Sequence, residues 1–522
     1  MPPAAIRPPV YADNMVATSQ PLAAQAGLTM LTGGGNAVDA AIAAAITLTV
    51  VEPTSNGVGS DAFALVYDGQ SLHGLNGSGR APAAWTPDRF AGRASMPQRG
   101  WDTVTVPGAP DAWATLSQRF GQLPFPALFA PAIRYARHGF PVSPITAAAW
   151  ARAAPALRSV PGFADAFLPQ GSPPLPGQRF SLPALADSLQ DIAETHARSF
   201  YRGALAQRIA EASAASGGAM TRDDLAAHRS DWAAPLSVAY RDTLVYELPP
   251  NGQGLAALIA LGVLERLPAA ALAPDDPLRL HLQIEAVRAA FDATHRHVGD
   301  PEHMAMDPRD LLAPAALDRI AAAIHPDRAS PPGPPPPEDH GTVLVTAADS
   351  AGRMVSLIQS NYMGFGSGVV VPGTGVSLQN RGSGFTLEPG HPNRVGPGKR
   401  PFHTIIPAFA ARRGAPWLAF GVMGGHMQPQ GHVQLLTRMA DHGVDPQIAA
   451  DMPRWYLGRD GAVSLEAGWS PAARAGLRAR GHRLDSLEGV FGGAQVIARL
   501  TGEAAGYVGG SDPRKDGQVI GT

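Results

Sequence analysis

The residues able to do chemistry in this chain of 522 are narrowed first by what it lacks. There is no cysteine, which removes disulfides, thiolate metal sites, iron–sulfur clusters and a cysteine nucleophile. No serine stands in a Gly-x-Ser-x-Gly elbow, and there is no His-Glu-x-x-His, no P-loop and no Gly-x-Gly-x-x-Gly after a strand. His426 and His432 flank an MQPQG stretch, but at that separation they do not share a helix face; His295 and His297 diverge as well. Both pairs read as core or solvated histidines, and neither a metal nor any other cofactor is expected. What remains centres on a threonine. Residues 328–338 read RASPPGPPPPE, a run that cannot continue a helix or supply donors to a central strand. On composition alone it is an interdomain linker. Directly after it come Asp339, His340, Gly341 and Thr342, and Thr342 opens the β-rich TVLVTAAD. A lone strand-start threonine is ordinarily structural, and the Gly424–Gly425 pair is ordinarily a tight turn.

The elements that must position these groups follow from periodicity. Pro21–Leu31, Ala37–Val50 and Leu278–His297 have helical spacing, with Asn36 placed to cap the second and Asp39 in its first turn. After the proline run, Thr342–Ala348 and Met354–Gln359 read as a hairpin turning at Gly352, and Val369–Val371, Gly375–Leu378 and Trp417–Phe420 as further short strands. Helices first and a sheet-rich piece after suggest a layered α/β architecture. The 58 Gly and 51 Pro point to many turns, not a helical bundle. With 41 Lys+Arg against 43 Asp+Glu the chain has no polyelectrolyte footprint, so no nucleic-acid partner is expected. Ala37–Val51 carries Asp39 and is too short to span a bilayer, and Met1–Asn14 lacks a signal-peptide core. The expectation is a soluble, cytoplasmic protein with no membrane partner.

Taken in order, Met15–Gly59, HGT at 340–342, GFGSGVVVPGTGVSLQNRG at 364–382, PGKRPFHTIIPAF at 397–409, GVMGGHMQPQ at 421–430 and GGSDPRKDG at 509–517 strongly resemble the γ-glutamyltransferase family of N-terminal nucleophile hydrolases, nearly end to end. The resemblance implies a four-layer αββα sandwich built from two subunits cut from one precursor: a large subunit, 1–341, mostly helical with strands and ending in the proline-rich linker 328–338, and a small one, 342–522, carrying the nucleophile. It implies self-cleavage between Gly341 and Thr342, after which Thr342 is both nucleophile and, through its new α-amino group, base. A terminal amine ordinarily titrates near pH 8 and is partly neutral at pH 7, so it can activate a hydroxyl that is a weak nucleophile by itself. Gly341 tolerates strained backbone at the scissile position. Ser360 aligns with a hydroxyl placed against the nucleophile's amine, and Gly424 and Gly425 with the paired oxyanion-hole glycines.

The substrate pocket departs from the family's usual form. His403 and Thr404 stand where a Ser-Ser pair usually holds the substrate α-carboxylate. Ser78 occupies the usual arginine slot, leaving Arg80, just before Ala81-Pro82, as the candidate for that charge. At the α-amino end, Tyr362, Arg381 and Gly384 replace Asn, Gln and Asp, so no carboxylate from those positions meets an ammonium, and Arg381 repels one. A guanidinium fits a carboxylate instead. The expected substrate is a small amide carrying an anionic group. The string NRG…F followed by PGK.PFHT resembles a divergent branch that includes oxamate amidohydrolase and acylases; γ-glutamyl transfer or glutathione-type hydrolysis stays open beside oxamate or cephalosporin-type amides, and so does transfer to water or to an amine. A catalytically silent scaffold relative and a metal hydrolase using His426 and His432 are the readings of other classes, and a homodimer of the processed pair stays open. Glu285 and Arg288 read as scaffold charges, Asp512 and Arg514 as an interdomain ion pair or turn, and Trp113 as core.

Overall fold

The computed structural model describes residues 7–331, 341–502 and 504–522. Positions 332–338 of the proline run, with Asp339 and His340, lie outside the described residues.

The helices begin where local chemistry caps them. Helix α1 is Pro21–Thr32 and α2 is Ala37–Val51. Before α2, Asn36 Oδ1 accepts the N–H groups of Val38 (2.9 Å) and Asp39 (3.1 Å), and Asp39 accepts the Asn36 N–H at 3.0 Å. This reciprocal box satisfies donors that the first turn leaves orphaned. Helix α2 is buried along its whole length, as an AVDAAIAAAITLTVV sequence apolar on every side requires. Three further helices matter to the site: α3 (Gly254–Glu265), α4 (Pro277–His297) and α5 (Met427–His442).

Two seven-stranded sheets form the centre. Before the proline run lie β1 (Val10–Ala12), β2 (Met15–Thr18), β3 (Asp61–Tyr67), β4 (Leu72–Gly77), β5 (Asp231–Ala233), β6 (Leu236–Tyr240) and β7 (Thr243–Glu247). After it lie β8 (Val343–Ala348), β9 (Met354–Ser360), β10 (Ala408–Arg412), β11 (Ala415–Met423), β12 (Gly493–Arg499), β13 (Tyr507–Ser511) and β14 (Gln518–Gly521). One sheet runs β14-β2-β8-β9-β3-β4-β5 and the other β1-β13-β12-β11-β10-β7-β6. Side chains alternate between faces, so each sheet has two apolar sides to cover. Val16, Ala64, Val345 and Leu357 pack outward beneath α2. Val245, Ala410, Leu418 and Val496 pack outward beneath α3, α4 and α5. Between the sheets, Phe63, Leu344 and Ile358 meet Phe409, Ala419 and Ile497. The result is the four-layer αββα sandwich.

One expectation is refined and one corrected. The stretch before the proline run is mostly helical with strands, as expected, but both sheets take strands from both sides of that run. The early strands are short or continuously apolar, and periodicity cannot separate such runs from helix. Val369–Val371 and Gly375–Leu378 are not strands; only isolated bridges, Val370–Ser377 and Gly59–Leu378, form there. Pro372 interrupts the run, and Gly373 and Gly375, at φ of 68° and 67°, turn it instead.

Asn36→Ala should destabilise the protein by about 1 kcal/mol through loss of the α2 cap, read as a lower urea midpoint; an unchanged midpoint would show that tertiary packing alone holds this helix end.

Candidate active site

Strands β8 and β9 pair antiparallel with Val343 opposite Gln359 and Ala348 opposite Met354, closing through the turn at Gly352, whose φ is 90°. That register sets Thr342, one residue before β8, beside Ser360, the last residue of β9. Strand β3 pairs on the other side of β9 with Asp61 opposite Ser360. Three polar side chains from distant parts of the chain therefore meet at one sheet end, all buried. Thr342 Oγ1 donates to Ser360 Oγ at 3.4 Å. Ser360 Oγ donates to the Gly341 carbonyl at 2.8 Å and accepts the Tyr362 N–H at 2.8 Å. With its acceptor side occupied, the Ser360 proton is committed to the Gly341 oxygen. Gly341 has φ of 64°, and an added Cβ would come within 3.3 Å of the Tyr362 carbonyl. Glycine is suited to this position on both counts.

Beside this group lies a wholly buried guanidinium. Arg381 donates to Thr404 Oγ1 at 2.8 Å, and its guanidinium carbon stands 4.4 Å from the centre of the Tyr362 ring. Tyr362 itself has φ of 77°, a left-handed conformation that turns its ring beneath Arg381. His403 does not offer a free donor. Its Nε2 lies 3.1 Å from Asp61 Oδ2 and its Nδ1 accepts the Ile405 N–H at 3.3 Å, so the ring is a neutral Nε2–H tautomer that orients Asp61. Burial lowers the His403 pKa well below its usual range, with Arg381 and Arg400 acting in the same direction. Asp61 also accepts the Gly108 N–H at 3.0 Å. Burial pushes its carboxyl up to about 7, against the opposing pull of Arg381, the Gly108 and Gly79 amides and Arg400.

Asp61 is the residue that sequence reasoning missed. Its signal was an acidic residue opening DAFALVY, a strand otherwise apolar on both faces. It also bears on the expectation that no carboxylate remained near the pocket: one does, but in the hands of His403 and two backbone amides.

Gly424 and Gly425 form the sharp link from β11 to α5, with φ of 109° and 43°. Among the described residues neither N–H is given to a protein acceptor, while the Gly425 carbonyl accepts from Gln253 at 2.7 Å. Gly384 closes the short turn that Arg381 opens. Arg80 is engaged apart from this cluster: it donates to Asp300 at 3.2 Å and to the Gly398 carbonyl at 3.1 Å, with Glu302 at 3.6 Å. These contacts line a separate cleft with Asn76, Asp231 and Arg400. His432 pairs with Glu247 at 2.7 Å, whereas His426 packs among Phe291, His295 and Phe402, so the two histidines face different partners. Trp113 is core, its indole N–H given to Gln359 at 2.9 Å. Asp512 joins Arg454 and Arg514 in a buried ion network, and Arg288 pairs with Glu285 at 3.2 Å.

A buried threonine at a sheet end, preceded by a glycine in the left-handed conformation, in an αββα sandwich, defines an N-terminal nucleophile hydrolase architecture. The Gamma-glutamyltranspeptidase family model matches residues 23–522, and the chain belongs to that family. It is 37% identical over 519 residues to a glutathione hydrolase-like YwrD proenzyme of Bacillus subtilis (strain 168), covering 97% of this chain and 98% of that one. It is 38% identical to an oxamate amidohydrolase proenzyme of Klebsiella pneumoniae subsp. pneumoniae, covering 98% and 99%. The fold superposes on a cephalosporin acylase from Bacillus halodurans with a TM-score of 0.95 and 46% identity, over 100% of this chain and 98% of that one.

The Asp61 carboxyl holds a proton in the fold that the unfolded chain releases above its ordinary 3.8. Its contribution to stability is therefore full below that value, falls as pH rises to about 7, and is level above. Asp61→Asn should flatten this part of the stability–pH curve by a few kcal/mol at most, on the order expected for one buried carboxyl; urea titrations across the window that superpose for the two proteins would overturn the assignment.

Proposed function

We propose that the chain is a self-processing amidohydrolase or acyltransferase that works through an acyl-enzyme on Thr342, with residues 1–341 as large subunit and 342–522 as small. The observation that carries this is the placement of the Ser360 hydroxyl, which touches the Thr342 hydroxyl and the Gly341 carbonyl at once. In processing, Thr342 Oγ adds to the Gly341 carbonyl carbon, and the charge that develops on the carbonyl oxygen is met by the Ser360 O–H. The C–N bond to Thr342 breaks as the nitrogen takes the proton released from Oγ. Water then cleaves the ester, leaving a Gly341 carboxylate and a free Thr342 amine. In turnover that amine takes the Oγ proton as the oxygen attacks the substrate amide, and passes it to the departing amine. The Gly424 and Gly425 N–H groups are the donors for the substrate's oxyanion. Water, or an acceptor amine, then releases the acyl group.

For substrate, the reading is a small amide with a carboxylate close to the scissile carbonyl. Arg381 supports it: a buried guanidinium held on Thr404 and Tyr362 fits a planar anion, and repels a γ-glutamyl ammonium. The relative named for oxamate hydrolysis is consistent with it. Thr404 is placed to share the carboxylate; His403 serves behind it, orienting Asp61.

Thr342→Ala should abolish processing, so that a denaturing gel shows one full-length band where the wild type shows two; a normally cut variant would overturn the nucleophile. In processed enzyme, Arg381→Met should raise KM for a carboxylate-bearing amide by about tenfold to a hundredfold, the cost of a lost charged hydrogen bond, and leave KM for an uncharged amide unchanged. Rapid glutathione turnover by the wild type would contradict the substrate assignment.

A further inference from the structure

A second cluster of chemistry-bearing side chains lies away from Thr342, where α4 meets α6 (Pro471–Ala479). We propose that His281, Glu285 and His482 bind a divalent transition ion of the zinc class. All three are buried, and each offers a ligand atom within 4.8 Å of the others'. His281 and Glu285 are four apart on α4 and so share a face. His281 Nδ1 and His482 Nε2 point at each other at 2.8 Å. His281 Nε2 donates to the His325 carbonyl, also at 2.8 Å. That outer hydrogen bond fixes the tautomer, leaving the Nδ1 lone pair directed into the cluster, which is how ligating imidazoles are commonly oriented. Zinc ligands about 2.0–2.1 Å from the metal stand roughly 3.3 Å apart in a tetrahedron. The two imidazole nitrogens therefore need to part by about half an ångström, while His482 moves its proton to Nδ1. Glu285 supplies the third ligand and water the fourth. Glu285 also accepts Arg288 and the Ser330 N–H, at 3.2 and 2.9 Å, and the Arg288 charge opposes the ion, placing its affinity below that of an all-histidine site.

The site would do structural work. Residues 325–330 are laid across the cluster: the Ser330 N–H goes to Glu285, the Ala329 N–H to the Arg480 carbonyl at 2.7 Å, and Arg480 Nε to the Pro326 carbonyl at 2.9 Å. His281 and Glu285 precede the cut proposed above and His482 follows it. On that reading, one ion clamps the end of the large subunit to the small. It also departs from the expectation that Glu285 is only a scaffold charge and that no metal is bound.

The test is Co2+ and Zn2+ titration of chelator-stripped protein, in the processed wild type and in uncut Thr342→Ala. One ion per chain is expected in both, with cobalt d–d absorption of a nitrogen-ligated site. His482→Asn and His281→Gln should each weaken binding on the order of a hundredfold or more, and His482→Asn should keep amidase activity while losing the rise in thermal midpoint that Zn2+ gives the wild type. Equal binding in wild type and both variants, or no stoichiometric ion, would leave a hydrogen-bonded histidine pair only and overturn the proposal. Binding by both proteins without processing in the wild type would instead overturn the function proposed above and leave the metal site standing.

Discussion

In an antiparallel hairpin the side-chain period is two, so a slip of one residue turns every side chain to the opposite face. The register of β8 against β9 is held by apolar residues on both faces, Leu344 and Ile358 toward the other sheet, Val345 and Leu357 toward α2. A slip would put all of them on the wrong side of a buried sheet. Packing along the hairpin thus places Thr342 against Ser360, and the second pairing of β9 adds Asp61. Within that frame, the Ser360 rotamer is set by one donor, the Tyr362 N–H, and one acceptor, the Gly341 carbonyl.

A second constraint is electrostatic. A guanidinium with no solvent exposure is costly unless its charge is balanced and its N–H groups are satisfied. Asp61 feels Arg381, yet burial keeps its carboxyl near the middle of the physiological range, at about 7. The charge that Asp61 sets against Arg381 is therefore partial over that range. The same reasoning explains why a neutral His403, held by Ile405 and Asp61, replaces a hydroxyl: it supports the acid without adding a further positive charge beside Arg381.

The hairpin, the capped α2, α4 and the Gly424–Gly425 turn were legible because each rests on local rules: alternation, an Asn–Asp capping box, helical spacing, paired glycines. The hairpin register brings Thr342 level with Ser360, but nothing local singles out those two hydroxyls; only resemblance to a family did. What was not legible depended on partners chosen in three dimensions. Arg80 looks like a free loop arginine beside Ala81-Pro82, but Asp300, which caps its own short turn at Glu302, takes it. Asp61 hides in a strand whose apolar run gives no hint of the histidine opposite. The bridges at Val370 and Leu378 were misread because β-branched residues suggest strand while the intervening glycines decide the backbone.

The interleaving of the sheets bears on what a break at Gly341 can do. In one sheet β2 and β9 flank β8, and β3 flanks β9; in the other, β10 pairs with β7 and β13 with β1. Every one of these ladders except β8–β9 joins strands from opposite sides of residue 341. A cut there removes one covalent bond and no ladder, so the two pieces remain a single core that neither can form alone. The loss of that bond frees only the backbone just before β8, where Gly341 already occupies a left-handed conformation. Such a break would leave the Ser360 hydrogen bond to the Gly341 carbonyl free to change, while the strand pairing that sets Thr342 beside Ser360 stays in place.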